Sequence, residues 1–538
     1  MHPAILSRRI RAIMRQDELI AASPLQPVPA TMLAVLAGAL LILPFRAETL
    51  YPLTWIALVP LLYAIRGQKL VHAAGLGWLA GTAAHVIGVY WLIGTMVRFG
   101  GIHPAISLVL FVLIAAALGT IYIPFVLVCR LMPAGRLDST LRGALLIAAA
   151  FTAGEFIFPS VFPWRIGYSQ IRIPALVQMA DITGAYGITF ITALGGAVLF
   201  QLLISFRQKT RPYPWPSVAV LITLLVIFLG YGVVRLNTVQ QRMAAADSVR
   251  LALLQPNVPF DEKFDPALAT QHNLELFQMS AQAAARDARL VIWPETGYRS
   301  PILGDTKRLE VPVSIPANTY LYIGANVFDK VAGGYDAHNS VLAVAADGSI
   351  TGRYDKHHLF PFGEYLPLSD VFPILKQYAG PISDFKAGAG PPVQVFPDGI
   401  TVGPLICYED IFPGLSRRAV NNGARVLVNQ TNDAWFGDTA APHQHLQLAR
   451  FRSIENRLPM IRATNSGVTA VVSPTGEITS KLDTFTRDMI IADIPLPVIR
   501  TFYTAYGDVF AVFCLISVAA LLLVENYHTI KISPRSLN

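Results

Sequence analysis

One free thiol in a polar stretch is the group in this chain best placed to act as a nucleophile. Cys407 ends the apolar, β-favouring run Gly403-Pro404-Leu405-Ile406 and is followed by Tyr408, Glu409 and Asp410. A thiol with an ordinary pKa of about 8.5 is only slightly ionised at neutral pH, so it needs a positioned base or a nearby cation. Glu295 can be that base: it follows Val291-Ile292-Trp293-Pro294, where a buried strand would emerge into a loop, the usual place for functional groups in layered α/β proteins. Lys356 lies in the stretch Arg353-Tyr354-Asp355-Lys356-His357-His358-Leu359-Phe360-Pro361-Phe362-Gly363-Glu364. Its ammonium can stabilise the negative oxygen that develops when a carbonyl is attacked, an effect often worth about 3 kcal/mol for one donor. Taken singly, these residues read as a surface carboxylate, an exposed charge and a buried structural thiol. Together they match the three needs of nucleophilic acyl chemistry.

The elements that must position them belong to two kinds of sequence. With 53% hydrophobic and 14% charged residues over 538 positions, the chain is too apolar for a soluble enzyme of this size. Long uncharged runs fill the first 235 residues and return near 508–525. Eight candidate spans follow, at 30–46, 50–66, 73–97, 104–129, 142–162, 187–206, 215–235 and 508–525, judged against the roughly 17–25 helical residues that cross a bilayer. This predicts a polytopic helical membrane domain over 30–235, a water-facing domain over 236–505 and an eighth span over 506–526, flanked by tails at 1–29 and 527–538.

Basic residues alternate between connections: Arg8, Arg9, Arg11 and Arg15 in the tail, then Arg66 and Lys69, then Arg130, Arg136 and Arg142, then Arg207, Lys209 and Arg211. The positive-inside rule makes these cytoplasmic and the 236–505 domain external, with Arg165 and Arg172 as exceptions and Lys531 and Arg535 returning to the cytoplasm. The first apolar run lacks a small-residue cleavage site and reads as a retained anchor. The net charge of +8 is accounted for by this topology signal, which removes the case for nucleic acid.

In the polar block, Arg250-Leu251-Ala252-Leu253-Leu254-Gln255 is a buried-strand run, and Asp265 caps a helix with Pro266 at its first position, running to about Arg286. Strands follow at Leu290–Trp293 and Tyr320–Gly324, with turns at Asp347-Gly348 and Asp398-Gly399, the second just before the Cys407 strand. Helical stretches at 412–422 and 441–457, a strand at 425–429 and strands at 461–464, 468–473 and 488–493 complete an alternating α/β pattern.

Other motifs carry less chemistry. Cys129 and Cys514 lie in apolar runs and do not suggest a disulfide with Cys407. His357 with His358, and His443 with His445, lack a sulfur or carboxylate at a familiar metal spacing, so they read as solvated or substrate-facing, and no metal is expected. Gly77 and Gly81 form a small-xxx-small pair for helix packing. Glu155, inside an apolar span, marks a buried structural or functional position. Neither a G-x-S-x-G elbow nor a P-loop occurs, which removes support for serine-hydrolase and nucleotide chemistry.

Trp293-Pro294-Glu295, the Tyr354–Glu364 stretch, Ile406-Cys407-Tyr408-Glu409 and Asn432-Asp433-Ala434-Trp435-Phe436-Gly437 resemble the Glu-Lys-Cys signature of the nitrilase (carbon-nitrogen hydrolase) superfamily. With the spans, and with Phe162-Pro163-Trp164 and Gly167-Tyr168-Ser169-Gln170, the chain is similar more narrowly to the bacterial apolipoprotein N-acyltransferases.

The resemblance implies an αββα sandwich with Glu295 as general base, Lys356 as oxyanion stabiliser and Cys407 as nucleophile. It makes Glu364, Tyr408 and Glu409 supporting residues and places Phe264, Phe360, Phe362 and Trp435 at the substrate. Family members often have Lys-Trp where this chain has Lys263-Phe264. The implied reaction moves an acyl group from a membrane phospholipid, through a Cys407 thioester, to the α-amine of a diacylglyceryl-cysteine on an apolipoprotein, with no cofactor, in a bacterial inner membrane with the catalytic domain in the periplasm. Apolar residues between 359 and 390, with Phe360, Phe362, Leu366, Phe372 and Leu375, are expected to form a lid that dips into lipid. The competing readings are a membrane-anchored amidase acting on a small soluble amide and a non-catalytic scaffold that keeps a degenerate nitrilase fold.

Overall fold

A computed structural model describes residues 24–532 apart from 133, 210–212, 264, 368, 370, 372–383 and 391–392. The chain divides into two compact units. One comprises residues 1–90, 109–233 and 508–538, and the other residues 91–108 and 234–507.

The first unit is helical. Five helical stretches among the described residues are long and apolar enough to cross a membrane: Pro27–Phe45, Leu70–Gly88, Pro104–Leu131, Ala185–Gln208 and Trp215–Ala244. The other expected spans fall on the shorter Leu53–Ile65, Leu141–Ile157 and Val509–Val524, so five of the eight reach full length. The third candidate is corrected. Its helix ends at Gly88, and Trp91–Arg98 is a separate helix that belongs to the other unit. The seventh continues past residue 235 as one helix to Ala244.

Small residues let the helices approach closely, as the Gly77/Gly81 spacing predicts. A Cβ on Gly81 would run into the backbone of Gly119, and one on Gly77 would lie 3.0 Å from the Tyr122 carbonyl oxygen. Glu155 is buried, accepting from Ile166 N and Thr189 Oγ1, each at 2.8 Å. In the same unit, Gln170 Oε1 accepts from Trp55 Nε1 and its amide donates to Thr54 Oγ1.

The second unit has thirteen strands among the described residues: β1 (Ser248–Gln255), β2 (Leu290–Ile292), β3 (Tyr298–Leu303), β4 (Tyr320–Val331), β5 (Gly334–Val344), β6 (Ile350–Asp355), β7 (Gln394–Val395), β8 (Thr401–Ile406), β9 (Val426–Thr431), β10 (Met460–Thr464), β11 (Ala470–Val472), β12 (Ile478–Lys481) and β13 (Asp488–Pro495). They form two sheets, ordered β13-β1-β2-β4-β5-β6 with β3 on β4, and β12-β11-β10-β9-β8-β7. The centres, β1-β2-β4 and β8-β9-β10, are parallel.

Alternation along each strand decides the layers. Leu251 and Leu253 of β1 pack with Ile292, Tyr322 and Tyr354 against Val402, Ile406, Val428 and Ile461 of the other sheet. Ala252 and Leu254 point the opposite way, onto Leu276, Phe277 and Ala283 of the Ala269–Ala284 helix. In the second sheet Leu405 and Leu427 meet Leu415 and Ala419 of the Pro413–Asn421 helix and Leu446 and Ala449 of the Ala441–Asn456 helix. Three buried apolar interfaces thus separate four layers, helix, sheet, sheet and helices. Each fully buried Leu, Val or Ile contributes about 1.5–3 kcal/mol, so the strand ends are held by a rigid scaffold.

Candidate active site

Three strand ends deliver the three residues singled out by the sequence. Cys407 follows β8 directly and opens the Cys407–Ile411 turn with φ of +54°. A non-glycine residue in that region stores about 1–3 kcal/mol of strain, held here by bonds on either side. The Asn429 amide donates to the Cys407 carbonyl at 2.7 Å, and Ile406 N donates to the Glu409 carboxylate at 2.7 Å. Glu295 lies just beyond β2, on a loop that crosses β4 at Gly324. A Cβ on Gly324 would meet the Pro294 carbonyl oxygen and lie 2.8 Å from Thr296 N, so only glycine admits the loop. Lys356 follows β6, and its backbone N donates to the Asn339 carbonyl at 2.8 Å.

Side chains then converge. Lys356 is 1% exposed and Glu295 6%. The ammonium lies 2.9 Å from Glu364 and 3.4 Å from Glu295 Oε1. Asn339, which sequence reasoning did not find, donates to both carboxylates, at 2.7 Å to Glu295 and 2.8 Å to Glu364. Glu364 also accepts from Phe360 N at 2.8 Å. Glu295 Oε1 is therefore committed, whereas the buried Oε2 has no hydrogen-bond partner among the described residues. An open lone pair on a fixed carboxylate is what a general base requires.

Burial favours the neutral form of Lys356, but Glu364 and Glu295 together hold its pKa well above the usual lysine range. Burial pushes the half-buried Cys407 thiol up; Glu295 and Asp433 add to the rise, while Lys356 and a hydrogen bond with Thr431 oppose it. The resting pair is thus a neutral thiol beside a charged ammonium.

Glu409 stitches two of these strand ends together. Its fully buried carboxylate accepts from Ile406 N, from His357 N and His358 N at 2.9 Å each, and from the Tyr354 hydroxyl at 2.9 Å. The Tyr408 hydroxyl donates to the Leu359 carbonyl at 2.8 Å, and Lys356 Nζ stands 5.6 Å from its ring centroid. Phe360 packs edge-on to Tyr408, and Phe362 is 65% exposed. Trp435 is half-buried, with Lys263 Nζ 5.8 Å from its ring centroid and Phe99 tilted against it at 4.8 Å. Phe264 and the expected lid residues Phe372 and Leu375 lie outside the described residues; Leu366 is described and half-buried.

Two further features were not legible in the sequence. The Trp91–Arg98 helix, read as the end of a span, packs on the Asp433–Phe436 turn: Thr95 Oγ1 donates to the Trp435 carbonyl and Trp91 Nε1 to Gln444. His445, expected to be solvated or substrate-facing, is 2% exposed and clasped between Asp410 and Asp433. The signal for the second lay in acidic residues distant in sequence, which only the parallel β8-β9-β10 arrangement brings together.

Residues 250–503 match the carbon-nitrogen hydrolase family model, and residues 37–198 match the apolipoprotein N-acyltransferase N-terminal domain. The chain is 33% identical over 503 residues to an apolipoprotein N-acyltransferase from Geobacter metallireducens, covering 91% of this chain and 94% of the relative. It is 31% identical to one from Pseudomonas putida, covering 87% and 91% respectively. An amidase from Nesterenkonia sp. of solved structure is similar at 19% identity and a TM-score of 0.33, covering 47% of this chain and 92% of its own.

Proposed function

This chain belongs to the apolipoprotein N-acyltransferase family, within the carbon-nitrogen hydrolase superfamily, and from that membership we propose a two-step acyl transfer carried by Cys407, Glu295 and Lys356. In the first half-reaction Cys407 Sγ attacks the carbonyl carbon of a phospholipid acyl ester while Glu295 Oε2 takes the thiol proton. Lys356 faces the oxygen on which charge develops. Collapse of the tetrahedral intermediate breaks the bond to the glycerol oxygen, which leaves as lysophospholipid after receiving the proton from Glu295. In the second half-reaction the free amine of a diacylglyceryl-cysteine attacks the thioester, Glu295 accepts the amine proton, and the departing sulfur recovers it. One amide forms and the thiol is restored.

The observation that carries this reading is the asymmetry of Glu295, with one oxygen held by Asn339 and Lys356 and the other left open. Lys356 remains charged throughout, so the base and the oxyanion stabiliser do not exchange roles. Both substrates carry acyl chains whose transfer into water costs about 0.8 kcal/mol per CH₂, and a membrane-embedded chain avoids that cost. Exposed Phe362, with Phe360 and Leu366, suits a loop that inserts among lipid tails. We place the catalytic domain on the periplasmic side of a bacterial inner membrane, on the strength of the alternating Lys and Arg along the sequence.

The test is incubation of the detergent-solubilised protein with a phospholipid of defined chains, followed by mass analysis of the Cys407 peptide. An acyl mass on Cys407 that is absent in Cys407→Ser supports the reading. A membrane-anchored amidase would take no acyl group from phospholipid, and that result would replace the proposal.

A further inference from the structure

Four charged side chains close into a ring beside the nucleophile. Asp410 comes from the Cys407–Ile411 turn, Asp433 opens the Asp433–Phe436 turn, His445 stands on the Ala441–Asn456 helix and Arg462 on β10. None is more than 2% exposed. Each carboxylate bridges the two cations. Asp410 Oδ1 is 2.8 Å from His445 Nε2, and its Oδ2 accepts a short bond from Arg462 Nη1. Asp433 Oδ1 is 3.0 Å from His445 Nδ1, and its Oδ2 is 2.8 Å from Arg462 Nη2. Both imidazole nitrogens thus face carboxylate oxygens, and although burial and Arg462 lower the His445 pKa, Asp410 and Asp433 outweigh them and raise it, favouring the doubly protonated ring. Two anions and two cations leave the ring neutral. Arg462 Nη2 also lies 2.8 Å from His445 Nδ1, a contact between cations that the bridging carboxylates make tolerable.

The ring reaches Cys407 along two routes. Asp410 shares its turn, and Asn429 accepts from Arg462 Nη1 at 3.1 Å while donating to the Cys407 carbonyl at 2.7 Å. It reaches the Trp435 turn through Asp433. A buried ionic cluster is often no more stabilising than apolar residues of the same volume. Its presence beside a strained cysteine therefore calls for a role in specifying geometry. We propose that Asp410, His445, Asp433 and Arg462 are positioning residues that fix the Cys407 turn and the Trp435 turn in one register while contributing no net charge to the thiol. This rests on Cys407 being the nucleophile.

The charged and titratable groups that face the thiol are Glu295 beyond β2, Lys356 beyond β6, Lys263 from the Phe260–Lys263 turn, Tyr408 beside it, and Asp433 and Arg462 from the ring. Removing one ring charge should add a net charge to that set, with a sign fixed by the residue removed. The experiment follows the rate of Cys407 alkylation by iodoacetamide against pH in the full-length protein, read on the Cys407 peptide, alongside single-turnover acylation by phospholipid. His445→Gln leaves a net negative ring and should move the alkylation profile about one unit towards alkaline pH. Asp410→Asn leaves a net positive ring and should move it the other way. The double variant should return to within about half a unit of the wild type, whereas Arg462→Lys, which keeps the charge but not the fork, should leave the profile in place and slow acylation at least tenfold.

Shifts of the two single variants in the same direction, no shift in either, or no return in the double variant would overturn the proposal. Should His445→Gln not fold, Asp410→Asn and Arg462→Lys decide the matter, because an unshifted profile in the first or full acylation in the second contradicts it. If wild-type Cys407 alkylates but takes no acyl group from phospholipid, the reaction assignment fails, and the alkylation shifts still judge the ring.

Discussion

Replacing Glu409 by Gln is the most informative single perturbation of the site. The carboxylate has two oxygens and faces only donors: Ile406 N at 2.7 Å on one oxygen, His357 N and His358 N at 2.9 Å on the other, and the Tyr354 hydroxyl at 2.9 Å from each. Glutamine has the same shape but one acceptor and an amide that donates. With its oxygen towards the two histidine N–H groups, its NH₂ confronts Ile406 N–H next to the nucleophile. One buried donor left unpaired costs about 1–3 kcal/mol, and losing charge assistance in the remaining bonds costs about 1 kcal/mol more for each. Burial raises the Glu409 pKa despite the bonds it accepts, so removing the charge returns part of this, and the net is about 2–4 kcal/mol. If that energy is expressed as misplacement of the Cys407 and Lys356 segments, the acylation rate falls by about 30- to 1,000-fold. Single-turnover acylation of the Cys407 peptide measures it. A rate within threefold of the wild type would refute the view that Glu409 holds the two strand ends together.

Three further outcomes follow from the same geometry. Asn339→Leu removes the donor shared by Glu295 and Glu364 and leaves one buried and one half-buried carboxylate on one ammonium; acylation should fall about 10- to 100-fold, and a rate within twofold counts against the bridging role. Asp433 is held at a pKa of about 2, since Arg462 and His445 together outweigh the burial that would raise it from 3.8. Its stabilisation is therefore present above pH 4 and lost as pH falls towards 2, about 2 kcal/mol in all, and acid unfolding of Asp433→Asn should show a shallower slope in that window, an unchanged slope being contradictory. Changing Phe360, Phe362 and Leu366 together to Ser should cut turnover of vesicle-borne phospholipid at least tenfold while sparing a short-chain soluble ester, since withdrawing even one apolar side chain from lipid costs about 1.5–3 kcal/mol; equal effects on both substrates would remove the lipid-dipping role.

The sequence carried the parts of this account that depend on local pattern. Uncharged runs marked the helical unit, and Asp265 does accept from Ala267 N at 2.9 Å, although it caps the short Pro266–Leu268 turn that leads into the Ala269–Ala284 helix rather than that helix itself. The strands that present Glu295 and Cys407 were readable because buried parallel strands are continuous apolar runs that stop where function begins, whereas Lys356 follows β6, an antiparallel edge strand with no such run. What was hidden depends on contacts between distant residues. Asn339 lies in the middle of β5 and resembles ordinary strand polarity until the β5-β6 register sets it beside Lys356. His445 reads as a polar helix residue because its carboxylate partners are Asp410 and Asp433. The Trp91–Arg98 helix followed an apolar helix so closely that hydropathy merged them, although the chain breaks at Gly88 and the second piece serves Trp435.

The measurement closest to the central claim is a chase of the acyl-enzyme. Protein acylated at Cys407 by a phospholipid of defined mass is separated from donor and mixed with a diacylglyceryl-cysteine peptide. The account predicts that the acyl mass leaves Cys407 and appears on the peptide amine in equal amount and at the same rate. Transfer from phospholipid to peptide with no acyl group passing through Cys407, or loss of the acyl group to water at the same rate with and without peptide, would contradict it.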